Sequence, residues 1–244
     1  MKAMLFAAGL GTRFKPWTDY HPKALALVNG KSLLQRNIEY LQGFGINEVV
    51  VNVHHFADQI IAAIDENNGW GSKIIISDER DEVLETGGGL MKARHLLQET
   101  DVFLTMNADI LTNLNLSNLV AAHIEKKYLI TLAVMQRDSS RQLLFDTAFR
   151  LKGWRNRLTG EGKGGFFKEA SSRNPLQELA FSGIAVYSPQ VFDFISQKGK
   201  FSLTEVFLDL SVNDLVTGYN HTGDILMDVG SEEKLLRAAS VFST

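Results

Sequence analysis

MKAMLFAAGLGTRFKPWTDYHPKALAL, residues 1–27, is the stretch that decides the fold. Its apolar residues 3–8 predict a buried strand, which Gly9 and Gly11 end. A glycine loop after a strand exposes backbone N–H groups, and no side chain holds an anion away from them. Glycine also adopts the positive φ that such loops often need. The stretch therefore predicts a buried first strand followed by an anion-binding loop.

Two cations follow the glycines and favour phosphate as the anion. Arg13 can bind phosphate oxygens through two parallel N–H bonds, and Lys23 adds a mobile point charge. The loop lacks the Gly-Lys-Ser/Thr ending of a P-loop, and it has Phe14 where the dinucleotide fingerprint needs its third glycine. Gly-x-Gly also occurs in ordinary turns, so the glycines alone leave that alternative open.

The remainder of the chain alternates apolar strand patterns with amphipathic helix patterns. Expected strands are residues 48–53, 74–77, 102–106, 130–136, 145–151, 152–156, 181–187, 215–220 and 225–229. Expected helices are residues 32–43, 57–67, 90–97, 116–127, 189–196, 203–213 and 232–242, and expected loops are residues 82–89 and 159–174. This alternation predicts an α/β fold with three α/β/α layers and a Rossmann-like mixed, mainly parallel sheet.

Composition excludes several classes of protein. The chain has 244 residues, 45% hydrophobic and 22% charged, which suits one sizeable core. A net charge of -3 gives no basic footprint, so nucleic acid is not an expected partner. With 0 cysteines there is no disulfide framework or thiolate metal site, and a cytoplasmic location is expected. The N-terminus does not form a signal peptide, and no apolar run reaches the ~20 residues of a membrane helix.

Polar residues follow several of the expected strands. Asn52 ends one strand, Asn107 and Asp109 follow another, and Asp228 lies at the end of a third. In parallel α/β sheets ligands bind at the carboxyl ends of the strands, so these side chains are expected to converge. Two carboxylates together can hold Mg²⁺, which prefers oxygen ligands and shares its coordination sphere with substrate phosphates. Each aspartate taken alone is more typical of a residue that caps a turn, and the metal interpretation is favoured only together with the loop after the first strand.

A run of three glycines precedes the helix expected at residues 90–97. In Glu85-Thr86-Gly87-Gly88-Gly89, bare backbone at a helix N-terminus could meet the edges of a nucleobase. A plain flexible turn is the alternative interpretation.

Three motifs resemble those of the sugar-1-phosphate nucleotidyltransferases, the nucleoside-diphosphate-sugar pyrophosphorylases. The first is the ordered series Gly9, Gly11, Arg13, Pro16, Thr18, Pro22 and Lys23. The second, Asn107-Ala108-Asp109, resembles the Asn/Gly-Asp metal motif of that family, and the third, Asp228-Val229-Gly230, resembles its late Asp-x-Gly motif. The resemblance covers nearly the whole chain and implies a single nucleotidyltransferase domain over residues 1–244. Residues 1–136 would form the nucleotide-binding core, and about 137–221 a sugar-facing lobe.

The resemblance also implies roles for individual residues. Arg13 and Lys23 would be catalytic, and Asp109 and Asp228 would hold the Mg²⁺ cofactor. The nucleoside triphosphate would be bound by Ala7, Ala8, Gly9, Gly11, Thr12, Arg13, Lys23, Asn52, Glu85, Thr86, Gly87, Gly88 and Asn107. The sugar 1-phosphate would be bound by Asp109, Ser182, Gly183, Arg155 and Arg157.

The chain departs from the family pattern in two places. Ala108 stands where glycine is common. The family usually has a Glu-Lys pair at the end of a hairpin to hold the sugar and its phosphate, but here the nearest segment is Arg155-Asn156-Arg157. Either arginine could take the phosphate role, and a solvated hairpin end is the alternative.

The form Leu-Glu-Thr-Gly-Gly-Gly looks most like the short bacterial N-acetylmuramate-1-phosphate uridylyltransferases and the mannose-1-phosphate guanylyltransferase-like proteins. UTP and N-acetylmuramate 1-phosphate are therefore the expected substrates, with GTP and mannose or another hexose 1-phosphate as the alternative. A non-catalytic nucleotide-sugar binding module is a second alternative. A glycosyltransferase is a third, but Asp109-Ile110-Leu111 lacks the second acid of an Asp-x-Asp motif.

Overall fold

The computed structural model describes residues 1–165 and 175–242. Their strands are β1 (Lys2–Phe6), β2 (Leu27–Val28), β3 (Lys31–Ser32), β4 (Glu48–Val53), β5 (Lys73–Asp78), β6 (Phe103–Asn107), β7 (Ile110–Thr112), β8 (Ile130–Met135), β9 (Arg141–Phe145), β10 (Leu151–Asn156), β11 (Gly162–Lys163), β12 (Gln177–Tyr187), β13 (Val216–Asn220) and β14 (Leu226–Asp228). Their α-helices are α1 (Leu33–Gln42), α2 (Ala57–Glu66), α3 (Glu85–Lys92), α4 (Arg94–Leu97), α5 (Leu116–Lys126), α6 (Leu203–Ser211) and α7 (Glu232–Val241).

One large mixed sheet runs through the described part of the chain. Its order is β11-β10-β9-β12-β6-β1-β4-β5, with β8 joined to β12 and β13 to β8. β1 lies parallel to β4 and β6, and β4 lies parallel to β5, so the carboxyl ends of these four strands meet at one edge. The long strand β12 is antiparallel to β6, β8 and β9 and joins the parallel half to the hairpin half.

Helices cover both faces of this sheet. On one face, the apolar stripe of α1 (Leu34, Ile38 and Leu41) is fully buried together with α2 and α5. Ser32 caps α1, because its side chain accepts a hydrogen bond from Gln35 N at 3.0 Å. On the other face α3, α4 and α6 pack against the sheet. The predicted three-layer α/β/α fold with a mixed sheet is confirmed.

The hairpin half differs from its prediction. The strand expected at residues 145–151 lies earlier, at β9. Asp146 explains the shift, because its Oδ1 accepts hydrogen bonds from Ala148 N and Arg150 N, each at 2.9 Å, and closes a turn there. Residues 159–165 contain the short strand β11, whereas residues 166–174 of the predicted loop lie outside the described part.

Other boundaries moved for local reasons. The helix expected at residues 189–196 is a 3₁₀ helix, Pro189–Asp193, and β12 begins four residues before the predicted start at 181. β7 was not predicted, because three residues are too few for a period-2 pattern. Among the described residues, no helix is long and apolar enough to cross a bilayer.

Buried His123 on α5 gives a testable pH dependence of stability. Its ring contacts Thr131 Oγ1 at 2.8 Å and Ser188 Oγ at 3.1 Å, and burial lowers its pKa from 6.5 to about 4. Between these values the unfolded chain binds a proton that the folded chain does not, so stability falls as pH drops from 6.5 to 4. The loss is about 3 kcal/mol for this group.

Chemical denaturation across that pH window checks the expectation. The free energy of unfolding of His123→Gln should depend less on pH than that of the wild type between pH 6.5 and 4. His95→Gln is the matched control, because His95 is exposed, and it should keep the wild-type slope. An unchanged slope in His123→Gln would show that this histidine is not responsible.

Candidate active site

A cleft of about 360 Å³ opens at the carboxyl ends of the parallel strands. The loop after β1, the end of β6 and the start of α3 line it. Its lining residues are Phe6, Ala7, Ala8, Gly9, Leu10, Gly11, Thr12, Arg13, Lys23, Ala24, Asn52, Glu79, Val83, Glu85, Thr86, Asn107, Ala108, Asp109 and Gly230. The first loop, Asn52 and Asp109 thus line one site at the strand ends, as the sequence predicts.

Asn52 holds the loop after β1 in place. Its side chain is buried, and its Oδ1 accepts hydrogen bonds from Ala7 N at 2.7 Å and Ala8 N at 3.3 Å. The two alanine N–H groups are therefore bound within the protein, although both residues line the cleft. Donors for a phosphate must come from further along the loop.

Glu79 was missed by the sequence analysis. It follows β5, is 1% exposed and accepts a hydrogen bond from Asn52 Nδ2 on Oε1 at 2.9 Å. Its Oε2 is buried and has no hydrogen-bond partner among the described residues. Burial raises the pKa of this carboxyl. The cleft is thus lined by a buried acid that has one oxygen without a protein partner.

Gly11 fixes the turn of the loop after β1. Its φ is 60°, and a Cβ there would lie 2.8 Å from Thr18 Cγ2. Buried Thr18 donates a hydrogen bond from Oγ1 to Gly11 O at 2.9 Å and holds the turn. By contrast, a Cβ on Gly9 would meet no protein atom within 4 Å, so the space beside Gly9 is open to the cleft.

The two predicted catalytic cations differ in their surroundings. Lys23 is mostly buried, and its Nζ forms an ion pair with Asp109 Oδ2. Arg13 is exposed, and its guanidinium makes no hydrogen bond or ion pair within residues 1–165 and 175–242. A Cβ placed on Gly230 would lie 3.4 Å from Arg13 Nη2 and 3.0 Å from Asp228 Oδ1. Arg13 therefore lies beside the late Asp-x-Gly motif.

A short two-stranded sheet brings the two predicted metal ligands together. In the β7–β14 pair, Asp228 lies opposite Ile110, and Val229 N donates to Asp109 O at 2.8 Å. Asp228 Oδ1 is buried and has no hydrogen-bond partner in the described part of the chain. The pairing places the backbone of Asp228 next to that of Asp109, and an orphan carboxylate oxygen is a suitable ligand for a hard cation.

No group of three or more metal-binding side chains occurs among the described residues. Two carboxylates are what a site needs when water and substrate phosphates complete the coordination sphere. Ala108, the first departure from the family pattern, has its methyl group in the core and its N–H bonded to Phe6 O at 3.1 Å, so it leaves the carboxylates unobstructed.

The glycine run corrects one prediction. Residues 85–89 are not a loop, because α3 begins at Glu85 and all three glycines are buried within it. Gly87 N and Gly88 N both donate to Phe201 O, at 2.9 and 3.2 Å, so these N–H groups do not serve as donors to a nucleobase. Glu85 and Thr86 line the cleft, whereas Gly87 and Gly88 do not. The glycines allow close packing of α3 on the segment before α6.

Gly88→Ala should destabilise the fold. A Cβ there would lie 2.2 Å from Gly199 O, a backbone atom that cannot rotate away. We expect a loss of about 2 kcal/mol or more in the free energy of unfolding, measured by denaturant titration. Gly165→Ala is the control, because its Cβ would meet no atom of the described residues within 4 Å, and it should change stability by less than about 0.5 kcal/mol. Equal stability of both variants would contradict the packing role.

The hairpin arginines have a glutamate partner that the sequence did not reveal. Arg155 Nη1 lies 3.1 Å from Glu178 Oε1, and Arg157 Nη2 lies 2.8 Å from Glu178 Oε2. Glu178 is on β12, more than twenty residues away in the chain, and Arg157 and Glu178 both line a second cavity of about 330 Å³. A glutamate paired with arginine therefore occupies the lobe in which the family Glu-Lys pair was missing.

Ser182, predicted to contact the sugar, lies away from both cavities. Ser182 is 0% exposed, and its Oγ is 2.7 Å from His221 Nε2, so its hydroxyl does not reach either cavity. Gly183 has a φ of 76°, and a Cβ there would lie 2.9 Å from Asn107 Nδ2. Gly183 thus makes room for Asn107, which does line the cleft.

Two histidines near the cleft belong to the scaffold. His54 Nδ1 lies 2.7 Å from Glu79 O, and His55 Nε2 lies 3.4 Å from Thr18 O. Neither residue lines the cleft.

A family model described as nucleotidyl transferase matches residues 2–243. N-acetylmuramate alpha-1-phosphate uridylyltransferase of Neisseria meningitidis serogroup B is 31% identical over 251 aligned positions, which cover 99% of this chain and 98% of the relative. The enzyme of the same name from Caulobacter vibrioides is 48% identical over 103 positions, covering 41% of this chain and 43% of the relative.

Solved structures agree on the fold. HddC from Yersinia pseudotuberculosis, complexed with GMP-PN, superposes with a TM-score of 0.77 at 23% identity and covers 99% of both chains. At that identity the likeness supports the fold alone.

Proposed function

Because the chain belongs to the nucleotidyl transferase family and is a sugar-1-phosphate nucleotidyltransferase, we propose that it transfers uridylyl from UTP to N-acetylmuramate 1-phosphate. The full-length relative named N-acetylmuramate alpha-1-phosphate uridylyltransferase is the observation that carries this choice of substrates. The products would be UDP-N-acetylmuramate and pyrophosphate, made in the cytoplasm and used in cell-wall recycling.

A guanylyltransferase acting on mannose 1-phosphate is the second candidate. Relatives named mannose-1-phosphate guanylyltransferase catalytic subunit beta support it, at 34% identity over 50% of this chain. These relatives match a smaller part of the chain than the full-length uridylyltransferase does, so we favour UTP over GTP as the proposed nucleotide substrate.

In the proposed reaction a sugar phosphate oxygen attacks the α-phosphorus of UTP in line. The bond from the α-phosphorus to its bridging oxygen breaks, and pyrophosphate leaves with that electron pair. The nucleophile is already ionised at neutral pH, so no general base is required. Catalysis then consists of positioning and charge neutralisation, as in phosphoryl transfer generally.

The loop after β1 would bind the triphosphate. Arg13, which binds no described residue, is free to hold the β- and γ-phosphates as negative charge develops on pyrophosphate. The N–H groups of residues 10–12 would add donors, because those of Ala7 and Ala8 are bonded to Asn52. Lys23 would exchange part of its contact with Asp109 for the α-phosphate or the sugar phosphate.

Asp109 and Asp228 would hold the divalent ion, which we propose to be Mg²⁺. Members of this family generally depend on a divalent metal. When bound, the ion would neutralise phosphate charge. Asp228 would use its orphan oxygen Oδ1 for this purpose.

The nucleoside would lie toward Glu79, Glu85 and Thr86 at the other side of the cleft. Burial raises the pKa of Glu79, and its orphan Oε2 would contact the base or ribose. Residues 137–221 would form the lobe that receives the sugar, with Arg157 and Glu178 at its second cavity.

Pyrophosphate release tests this proposal. The wild-type chain is mixed with UTP, GTP, CTP, ATP or dTTP and a panel of sugar 1-phosphates, with and without Mg²⁺. Turnover should be fastest with UTP and N-acetylmuramate 1-phosphate and should stop when the metal is chelated. Preference for GTP and mannose 1-phosphate would support the guanylyltransferase candidate. Absence of pyrophosphate release with every pair would contradict both candidate functions.

A further inference from the structure

Arg137 lines the second cavity and has few hydrogen-bond partners among the described residues. It follows β8, and its Nη2 donates to Phe181 O at 3.0 Å. Its Nε is buried without a hydrogen-bond partner among the described residues. An arginine has five N–H donors, and Phe181 O accepts a hydrogen bond from one of them here.

Arg137 also forms no ion pair with a carboxylate among the described residues. Burial lowers the pKa of the Arg137 guanidinium. The negative charge of Asp228 raises that pKa, although Asp228 and Arg137 do not form an ion pair. Neighbouring arginines are paired: Arg150 lies 2.8 Å from carboxylate oxygens of both Asp146 and Asp214, and Arg157 lies 2.8 Å from Glu178. A half-buried cation without a carboxylate costs stability, which an anionic ligand would recover.

Arg137 lines the second cavity together with Gln136, Asp138, Gln142, Arg157 and Glu178. None of these residues lines the cleft of the phosphate loop. Gln142 is 2% exposed and its Nε2 donates to Ser139 O at 2.9 Å and Arg137 O at 3.4 Å, which fixes the backbone that carries Arg137. The guanidinium is therefore held at a preformed cavity that shares no lining residue with the first cleft.

We propose that Arg137 determines sugar specificity by binding the carboxylate of the lactyl group of N-acetylmuramate 1-phosphate. This inference rests on the proposed function, because it concerns the sugar acid named there. A planar guanidinium matches a carboxylate through two parallel N–H bonds. The lactyl carboxylate is the one anion of this substrate that Arg13, Lys23 and the divalent ion do not already address.

The sugar phosphate is the competing ligand for Arg137, and the two possibilities have different kinetic signatures. Contact with a carboxylate remote from the reacting phosphorus is equal in the ground and transition states, so its loss raises KM and leaves kcat nearly unchanged. Contact with the phosphate would change during reaction, so its loss would lower kcat.

The test compares two sugars that differ only in the lactyl group. Wild type, Arg137→Met and Arg137→Lys are assayed for pyrophosphate release from saturating UTP with N-acetylmuramate 1-phosphate or N-acetylglucosamine 1-phosphate. Arg141→Met is the matched control, because Arg141 is exposed on β9 and lines neither cavity. Affinities for UDP-N-acetylmuramate and UDP-N-acetylglucosamine, from calorimetry, give the same comparison without turnover.

We expect Arg137→Met to lower kcat/KM for the muramate substrate by about 30-fold or more, through KM. For N-acetylglucosamine 1-phosphate, kcat/KM of Arg137→Met should stay within about threefold of the wild-type value. That result would also show that the variant is folded. With N-acetylmuramate 1-phosphate, kcat/KM of Arg137→Lys should lie between the values of Arg137→Met and the wild type. Arg141→Met should match the wild type with both sugars. An equal loss with both sugars, or no loss with either, would overturn the role of Arg137. If the wild type does not release pyrophosphate with N-acetylmuramate 1-phosphate, the proposed function is contradicted, and the role of Arg137 is contradicted with it.

Discussion

Asp109→Asn should reduce metal-dependent turnover by about 10³-fold or more. The change removes the charge that the cation binds and keeps the size of the side chain. It also removes the ion pair with Lys23, so it weakens the site on both sides of the proposed α-phosphate position. Initial rates of pyrophosphate release across a titration of Mg²⁺ measure the effect, and the residual activity should respond weakly to added metal.

Asp101→Asn is the control for this loss. Asp101 is exposed and precedes β6, at the opposite end of the strand from Asp109. It should keep wild-type turnover. Thermal unfolding of Asp109→Asn should still be cooperative, because the carboxylate lies at the cleft and outside the core clusters. Turnover within tenfold of wild type would remove Asp109 from the metal site.

Arg13→Ala should lower kcat by about 10²-fold or more, since a lost contact to developing charge typically has this cost. The side chain is exposed and bonds to no residue in the part of the chain that the structure describes, so stability should change by less than about 0.5 kcal/mol. A large kinetic loss without a stability loss is the signature of a residue kept for the substrate. Stopped-flow or steady-state pyrophosphate assays measure it.

Lys15→Ala is the matched control for Arg13. Lys15 lies in the same loop, but it pairs with Asp19 at 2.9 Å and does not line the cleft. The kcat of Lys15→Ala should stay within about twofold of the wild-type value. Similar losses in the two variants would mean that the loop acts through its overall charge, and an active Arg13→Ala would withdraw the catalytic role.

The sequence predicted the site best where strand ends carry it. Residues after β1, Asn52 at the end of β4 and Asp109 after β6 converge because parallel strands end at one edge. The same rule applies to Glu79 after β5. Glu79 was not predicted, because a run of several charged residues is typical of a solvated loop. Its burial comes from packing against Asn52 and Gly89, which no local pattern records.

The glycine run shows the limit of local propensity. Three consecutive glycines lower helix propensity, so the sequence predicted a loop. Burial against Phe201 and Gly199 overrides that propensity, since a Cβ on Gly87 or Gly88 would lie 2.4 or 2.2 Å from these residues. Helix α3 forms because the tertiary contact requires glycine, and the segment that creates the requirement is over a hundred residues away.

The region proposed to receive the sugar was the least predictable part of the described chain for the same reason. Arg155 and Arg157 were identified, but their partner Glu178 comes from a distant strand. Sequence spacing gives no register between β10, β9 and β12, so the pairing becomes visible only in three dimensions. Arg137 was missed because its significance lies in the absence of an acidic partner within the described residues.

Anomalous diffraction from crystals grown with Mn²⁺ and a non-hydrolysable UTP analogue tests the central claim most directly. The account predicts a peak within ligand distance of a carboxylate oxygen of both Asp109 and Asp228, with the triphosphate on the loop after β1. A nucleotide in the cleft with the metal bound elsewhere, or with neither aspartate as a ligand, would contradict it.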